Sequence, residues 1–175
     1  IDVLLKTCVK LCQEVYKPFV GSNKYYRFDI LLFPVSFKNE DGTLYVAFQG
    51  TDLMKPYEHV LTDLMANAGN GQQSFLDFEA FVKTLNLTKD GGIKAHYGFL
   101  KSMSEMYKYI KDEVDKFYGE VSKIVLTGHS AGAVLACLFY FAYEHDHSHD
   151  RKVKISHCVS FCSPRFIFSD EGEMY

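Results

Sequence analysis

The chain has 175 residues, a length that fits one domain, and 47% of them are hydrophobic, which is enough to fill a sizeable core. Its formal net charge of −3 gives no broad positive field of the kind that phosphate backbones require, so nucleic acid is not an expected partner. No stretch approaches the roughly 18 consecutive apolar residues of a membrane-spanning helix, and the sequence predicts neither an anchor nor a signal peptide.

Cysteine usage favours reduced thiols over a disulfide framework. The five cysteines are odd in number and lie mostly in apolar runs, where small buried thiols are common. They are Cys8, Cys12, Cys137, Cys158 and Cys162. Reduced thiols favour the cytoplasm, but the chain begins with Ile1 and not with methionine, so the sequence leaves the compartment open.

The first half of the chain predicts a helix, a hairpin and a long polar connection. Residues 3–15 place apolar side chains at helical spacing, so a first helix should lie with one face on the rest of the fold. Residues 28–37 and 43–49 are β-type runs on either side of a turn at 39–42. The polar, glycine-punctuated stretch 51–94 contains short helical segments at 57–65 and 75–85, and a connection of that length is usually functional.

The second half alternates helices with strands. Residues 97–117 form the clearest amphipathic helix, followed by a strand at 123–127, a tight turn at 128–132 and a helix at 133–144. A further strand is predicted at 153–162. This order favours right-handed crossovers and a largely parallel sheet, within a single domain over residues 1–175.

The tight turn carries the chemistry. Gly128, Ser130 and Gly132 form a GxSxG pattern between an apolar strand and an apolar helix, the setting of a nucleophile elbow. The N–H of Ala131, at the start of the helix, can bind a developing oxyanion. The alternative is a glycine-bounded turn between strand and helix with no catalytic role. The apolar strand before the pattern and the apolar helix after it favour the nucleophile elbow, so Ser130 is predicted to be a nucleophile.

Four further segments, in chain order, resemble the class 3 lipase family. They are residues 44–52, 59–64, 96–99 and 161–165, and with the elbow they span most of the chain. Gln49 stands where the family usually has arginine, and the chain has no tryptophan where the second segment often has one. The resemblance implies an α/β-hydrolase fold with a mostly parallel central sheet and helices on both faces, and no cofactor.

The same resemblance implies two more parts of a site. Thr51 would make the second oxyanion-hole contact, and a lid would begin directly after it. The predicted lid residues are Leu53, Met54, Tyr57, Val60 and Leu61. An amphipathic segment there would close the site in water and open it at a membrane or micelle surface, although the same side chains could simply pack on the domain.

The sequence does not identify the triad acid or the triad histidine. In the family both follow the 161–165 segment at some distance, but no histidine follows His157, and Asp170 comes too early for the acid. His129 is expected to point into the body of the fold and His157 to lie in the core. The alternating histidines of residues 145–149 are interpreted as a solvated connection some 20 Å from Ser130, with no metal site.

Two explanations stay open. The chain is part of a longer lipase whose C-terminal part, or a second chain, completes the sheet and the triad, or it is complete and non-catalytic. The leading function is therefore hydrolysis of a lipid carboxylic ester through an acyl-enzyme on Ser130. The alternative is a catalytically inactive lipase-fold scaffold or interaction protein, and an acyltransferase is a third option.

Overall fold

The computed structural model of the chain describes residues 1–17, 25–28, 34–51, 94–95, 97–146, 153–164 and 166–168. The helices are α1 (Asp2–Glu14), α2 (Tyr97–Lys116) and α3 (Ala131–His145). The strands are β1 (Tyr25–Phe28), β2 (Val35–Glu40), β3 (Thr43–Phe48), β4 (Lys94–Ala95), β5 (Lys123–His129), β6 (Ile155–Phe161) and β7 (Ile167–Phe168). Within these described ranges, no helix combines the length and the apolar character needed to cross a membrane.

A two-residue turn joins β2 to β3. Asp41 and Gly42 both have positive φ, 50° and 70°, which is the geometry of the hairpin turn that matches the natural twist of its strands. The register pairs Glu40 directly with Thr43. Asn39 and Glu40, expected in the turn, therefore belong to β2, because a turn this short extends the ladder into polar residues.

Five strands form one sheet in the order β1-β2-β3-β5-β6, and β4 pairs with β7 in a separate antiparallel ladder. Strand β2 is antiparallel to both of its neighbours, whereas β5 is parallel to β3 and to β6. Four of the five strands consequently run in one direction, and the predicted mostly parallel α/β sheet is confirmed.

Helices cover both faces of this sheet. Helix α1 lies on β3 and β5, and the Cys12 sulfur is 3.3 Å from the Thr127 hydroxyl oxygen on β5. On the other face, α3 packs on β5 and β6, and Leu126 belongs to the same buried cluster as Phe139 of α3 and Met103 of α2. Successive residues of β5 thus contact opposite layers, because neighbouring side chains of a strand point to opposite faces of the sheet. The main core lies between the sheet and the α2–α3 layer.

The elements that hold the elbow are longer than the sequence pattern indicates. Strand β5 continues through Gly128 to His129, and α3 starts at Ala131 instead of at residue 133. Ser130 alone therefore separates strand from helix. The predicted helical segments at 57–65 and 75–85 lie outside the described residues.

Candidate active site

Ser130 occupies a strained backbone position at the junction of β5 and α3. Its φ of 55° and ψ of −127° are unfavourable for a residue with a side chain. Its N–H donates to the Phe161 carbonyl of β6 at 2.9 Å, and its own carbonyl accepts the Ala133 N–H at 2.9 Å. These two bonds hold the serine in the sharp turn that a nucleophile elbow requires.

The two glycines of the GxSxG pattern lie where no side chain fits. A Cβ at Gly128 would come within 2.2 Å of the Gly132 carbonyl oxygen, so the end of β5 touches the first turn of α3. A Cβ at Gly132 would come within 2.2 Å of the Phe48 carbonyl oxygen, at the end of β3. The second glycine therefore relieves crowding against the neighbouring strand and not only within its own turn.

The loop after β3 lies beside the start of α3. A Cβ at Gly50 would be 3.4 Å from the Ala131 nitrogen and 2.4 Å from the His129 carbonyl oxygen. The first N–H groups of a helix have no acceptor within it, and they carry the positive end of the helix dipole. Thr51 directly follows Gly50 and is half-buried. Ser130, Ala131 and the Gly50–Thr51 loop therefore meet at one edge of the sheet, and the oxyanion-hole roles of Ala131 and Thr51 stay predictions.

Sequence reasoning missed Tyr16. This residue follows α1, and its hydroxyl accepts the Gly50 N–H at 3.0 Å. The same oxygen is 3.4 Å from the His129 Nδ1, and the two rings meet edge to face with their centroids 6.3 Å apart. No local pattern could have identified Tyr16, because its partners lie 34 and 113 positions along the chain.

Two histidines lie elsewhere than expected. His129 is exposed beside Tyr16 instead of pointing into the body of the fold, because it is the last residue of β5 and the strand ends there at the surface. His157 is exposed on β6 and not in the core, with its Nδ1 3.1 Å from the Ser156 hydroxyl oxygen. His157 pairs with Val125 and so lies on the sheet face that α1 covers, but α1 packs mainly on β3 and β5.

Several predicted residues cannot be assigned a position. The lid residues Leu53, Met54, Tyr57, Val60 and Leu61 lie outside the described residues, as do His147, His149 and Asp170. In the part of the chain that the structure describes, no group of three His, Cys, Asp or Glu side chains is arranged to hold a metal ion.

Solved structures of fungal lipases share this fold. The chain resembles the nonglycosylated LIP2 lipase of Yarrowia lipolytica with a TM-score of 0.61 and 21% identity, covering 94% of this chain and 60% of that one. It resembles a triacylglycerol lipase from Penicillium expansum with a TM-score of 0.57 and 17% identity, at the same coverage of 94% and 60%. The chain thus spans about 60% of the length of these two lipases.

Sequence comparison identifies the family. No curated protein matches the chain. The family model of lipase (class 3), however, matches residues 45–171, which include the end of β3, the elbow and all of β6. Because this match covers well over half of the chain and the fold agrees with it, the protein belongs to the class 3 lipase family.

Proposed function

We propose that the protein hydrolyses carboxylic esters of lipids, with Ser130 as the nucleophile. The observation that carries this proposal is the backbone of Ser130, which has a φ of 55° directly before the N-terminus of α3. A serine in that position projects from the end of its strand toward an incoming carbonyl group. Membership of the class 3 lipase family supports the choice of a lipid ester as substrate.

The proposed reaction is acyl transfer in two stages. The Ser130 Oγ attacks the ester carbonyl carbon, its proton passes to a base, and the carbonyl oxygen becomes an oxyanion. The Ala131 N–H and Thr51 stabilise that oxyanion, and loss of one such donor typically costs about 3 kcal/mol of transition-state stabilisation. The carbon–oxygen bond to the alcohol then breaks, the alcohol leaves with the proton, and water releases the acid from the acyl-enzyme.

The proposal assigns the base to none of the described histidines. His129 Nδ1 faces the Tyr16 hydroxyl, and His157 Nδ1 faces the Ser156 hydroxyl. The base and its acidic partner are therefore left to residues outside the described ranges, in this chain, in a longer form of the protein or in a second chain. The full natural protein is therefore the form in which activity is to be measured.

Labelling with a fluorophosphonate tests the nucleophile directly. In the full natural protein, the probe should form a covalent adduct on Ser130, and Ser130→Ala should abolish both labelling and ester hydrolysis. Ser104→Ala is the matched control, because Ser104 is an exposed serine on α2 and its loss should change neither readout. Absence of an adduct on Ser130 in folded full-length protein would contradict the hydrolase and favour the inactive scaffold.

The substrate class follows from a comparison of products. Triacylglycerol is the first candidate, since the similar Penicillium expansum structure is described as a triacylglycerol lipase. Diacylglycerol and phospholipid vesicles should be compared with it at equal ester concentration. Release of free fatty acid supports hydrolysis, whereas transfer of the acyl group to an added alcohol without net acid release would indicate an acyltransferase.

A further inference from the structure

Two thiols form a close pair between a helix and a strand. The Cys137 sulfur on α3 is 3.9 Å from the Cys158 sulfur on β6 and 3.3 Å from the Ser160 hydroxyl oxygen. Both cysteines are free and half-buried. A disulfide needs about 2 Å between its sulfurs, so the two thiols would have to move about 2 Å closer to form one.

The other thiols are differently placed. Cys8 and Cys12 lie on the buried face of α1, and burial raises the pKa of Cys8 to about 11 and also raises that of Cys12. A buried thiol that keeps its proton is a poor nucleophile. Cys162 is exposed just after β6. The Cys137–Cys158 pair thus combines proximity with partial exposure.

We propose that Cys137 and Cys158 are a redox-active dithiol, which a peroxide oxidises to a disulfide joining α3 to β6. The Cys137 thiolate attacks one oxygen of hydrogen peroxide, the O–O bond breaks, and the departing hydroxide takes up the proton that the thiol released and leaves as water. The Cys158 sulfur then attacks the sulfur of the Cys137 sulfenic acid, an S–S bond forms as the S–O bond breaks, and the departing hydroxide takes the Cys158 proton and leaves as a second water. Two thiols thereby lose two electrons, and one peroxide is reduced to two waters.

The electrostatics of the pair support Cys137 as the attacking sulfur. The hydrogen bond shared with Cys158 lowers the pKa of Cys137, and the Ser160 hydroxyl lowers it further against the effect of burial. The same hydrogen bond, together with burial, raises the pKa of Cys158. Cys137 is therefore the sulfur that loses its proton more readily, and Cys158 is the resolving thiol.

The disulfide would join the two elements that hold Ser130. Helix α3 begins one residue after Ser130, and β6 ends at Phe161, whose carbonyl accepts the Ser130 N–H. A covalent link between them restricts the unfolded chain and should raise the melting temperature of the protein. This inference does not depend on the proposed hydrolase activity, because it concerns thiol chemistry and stability alone.

Peptide mapping of the full natural protein tests the link. In a Cys162→Ser background, tryptic residues 124–151 carry Cys137 and residues 155–165 carry Cys158, each as the single cysteine of its peptide. After treatment with hydrogen peroxide and blocking of the remaining thiols, the two peptides should appear joined, lighter by two hydrogen atoms and separable with dithiothreitol. Cys12→Ser, which removes a buried thiol, is the control and should leave the joined peptide unchanged.

Single variants and melting curves complete the test. In Cys158→Ser, dimedone should trap a sulfenic acid on Cys137, and in Cys137→Ser no joined peptide should form. The oxidised protein should melt several degrees above the reduced one, with that difference lost in both variants. Recovery of Cys137 and Cys158 as separately blocked free thiols, or a link from either to another cysteine, would overturn the dithiol. An unchanged melting temperature in the linked protein would overturn its stabilising role.

Discussion

The backbone of Ser130 is held in its unfavourable conformation by neighbours on three elements. A residue in such a region of φ and ψ costs on the order of 1–3 kcal/mol, which the surrounding structure must offset. Here the Phe161 carbonyl, the Ala133 N–H and the close approach of Gly132 to the Phe48 carbonyl fix the turn from β6, α3 and β3. The strain is thus maintained by the ends of the elements, and any change that loosens them acts on Ser130.

Tyr16 fixes the other side of the candidate site. Its hydroxyl accepts the Gly50 N–H at 3.0 Å, one residue before Thr51. Tyr16→Phe removes that acceptor and leaves a partly buried N–H without its tyrosine partner, which typically costs about 1–3 kcal/mol. If Thr51 belongs to the oxyanion hole, we expect kcat for ester hydrolysis to fall by about tenfold with little change in KM, because the loop then holds the oxyanion less well.

A matched variant separates positioning from general loss of a phenol. Tyr109 is 57% exposed on α2, so Tyr109→Phe should leave kcat, KM and stability unchanged. Steady-state kinetics on a soluble ester, together with denaturant unfolding of each variant, measure both effects. A kcat for Tyr16→Phe equal to that of Tyr109→Phe would show that Tyr16 does not position the loop.

At the residue scale, the sequence identifies residues that form a short local motif and misses residues whose contacts are distant in the chain. One five-residue pattern contains Gly128, Ser130, Ala131 and Gly132, so the sequence identifies these residues although distant neighbours hold the turn. The contacts of Tyr16 and of the Cys137–Cys158 pair form between segments that are distant in the sequence, and the residues next to them in the sequence do not predict these contacts.

At the scale of elements, helices are predicted better than the first strand. The spacing of apolar residues places α1 and α2 within about one residue of their observed ends, because one face of each is buried. The strand predicted at 28–37 is instead found as β1 (Tyr25–Phe28) and β2 (Val35–Glu40), with residues 29–33 outside the described ranges. The sequence prediction followed the apolar residues alone. In the structure, the hairpin register includes the polar residues Lys38 and Asn39 in β2.

Thr127 links three elements through one hydroxyl. This group on β5 donates to the Val159 carbonyl of β6 at 2.9 Å, and its oxygen is 3.3 Å from the Cys12 sulfur of α1. Thr127 itself is fully buried. Thr127→Val should therefore lower the free energy of unfolding by about 1–2 kcal/mol, since a buried hydrogen bond is lost while the shape is nearly kept.

Ser122→Ala provides the control at an exposed site. The Ser122 hydroxyl also donates to a backbone carbonyl, that of Gly42, at 3.1 Å, but water can replace it there. Its loss should cost less than about 0.5 kcal/mol. Urea unfolding at constant pH measures both variants, and equal losses would mean that the Thr127 hydroxyl does not hold α1, β5 and β6 together.

At the scale of the whole molecule, both layers of the fold bury weak acids in their neutral form. On the α1 side, burial raises the pKa of Cys8 to about 11. On the α2–α3 side, burial raises the pKa of Tyr143 to about 12, and Asp115 adds to the shift. Burial, followed by the hydrogen bond to Asp146 at 2.7 Å, also raises the pKa of Tyr107. The folded protein therefore keeps protons that the unfolded chain gives up in alkali.

This difference predicts that stability falls in alkali. A tyrosine in the unfolded chain loses its proton near pH 10, whereas these buried tyrosines keep theirs in the folded protein. Between about pH 10 and pH 12, each such tyrosine therefore lowers the free energy of unfolding by up to about 1.4 kcal/mol per pH unit. Tyr107→Phe should lower stability at pH 8, where its bond to Asp146 is lost, yet make the alkaline decline shallower by one group. Urea unfolding at a series of pH values measures both, with exposed Tyr109→Phe as the unchanged control. A decline as steep in Tyr107→Phe as in the unmodified protein would show that Tyr107 titrates alike in the folded and unfolded chain.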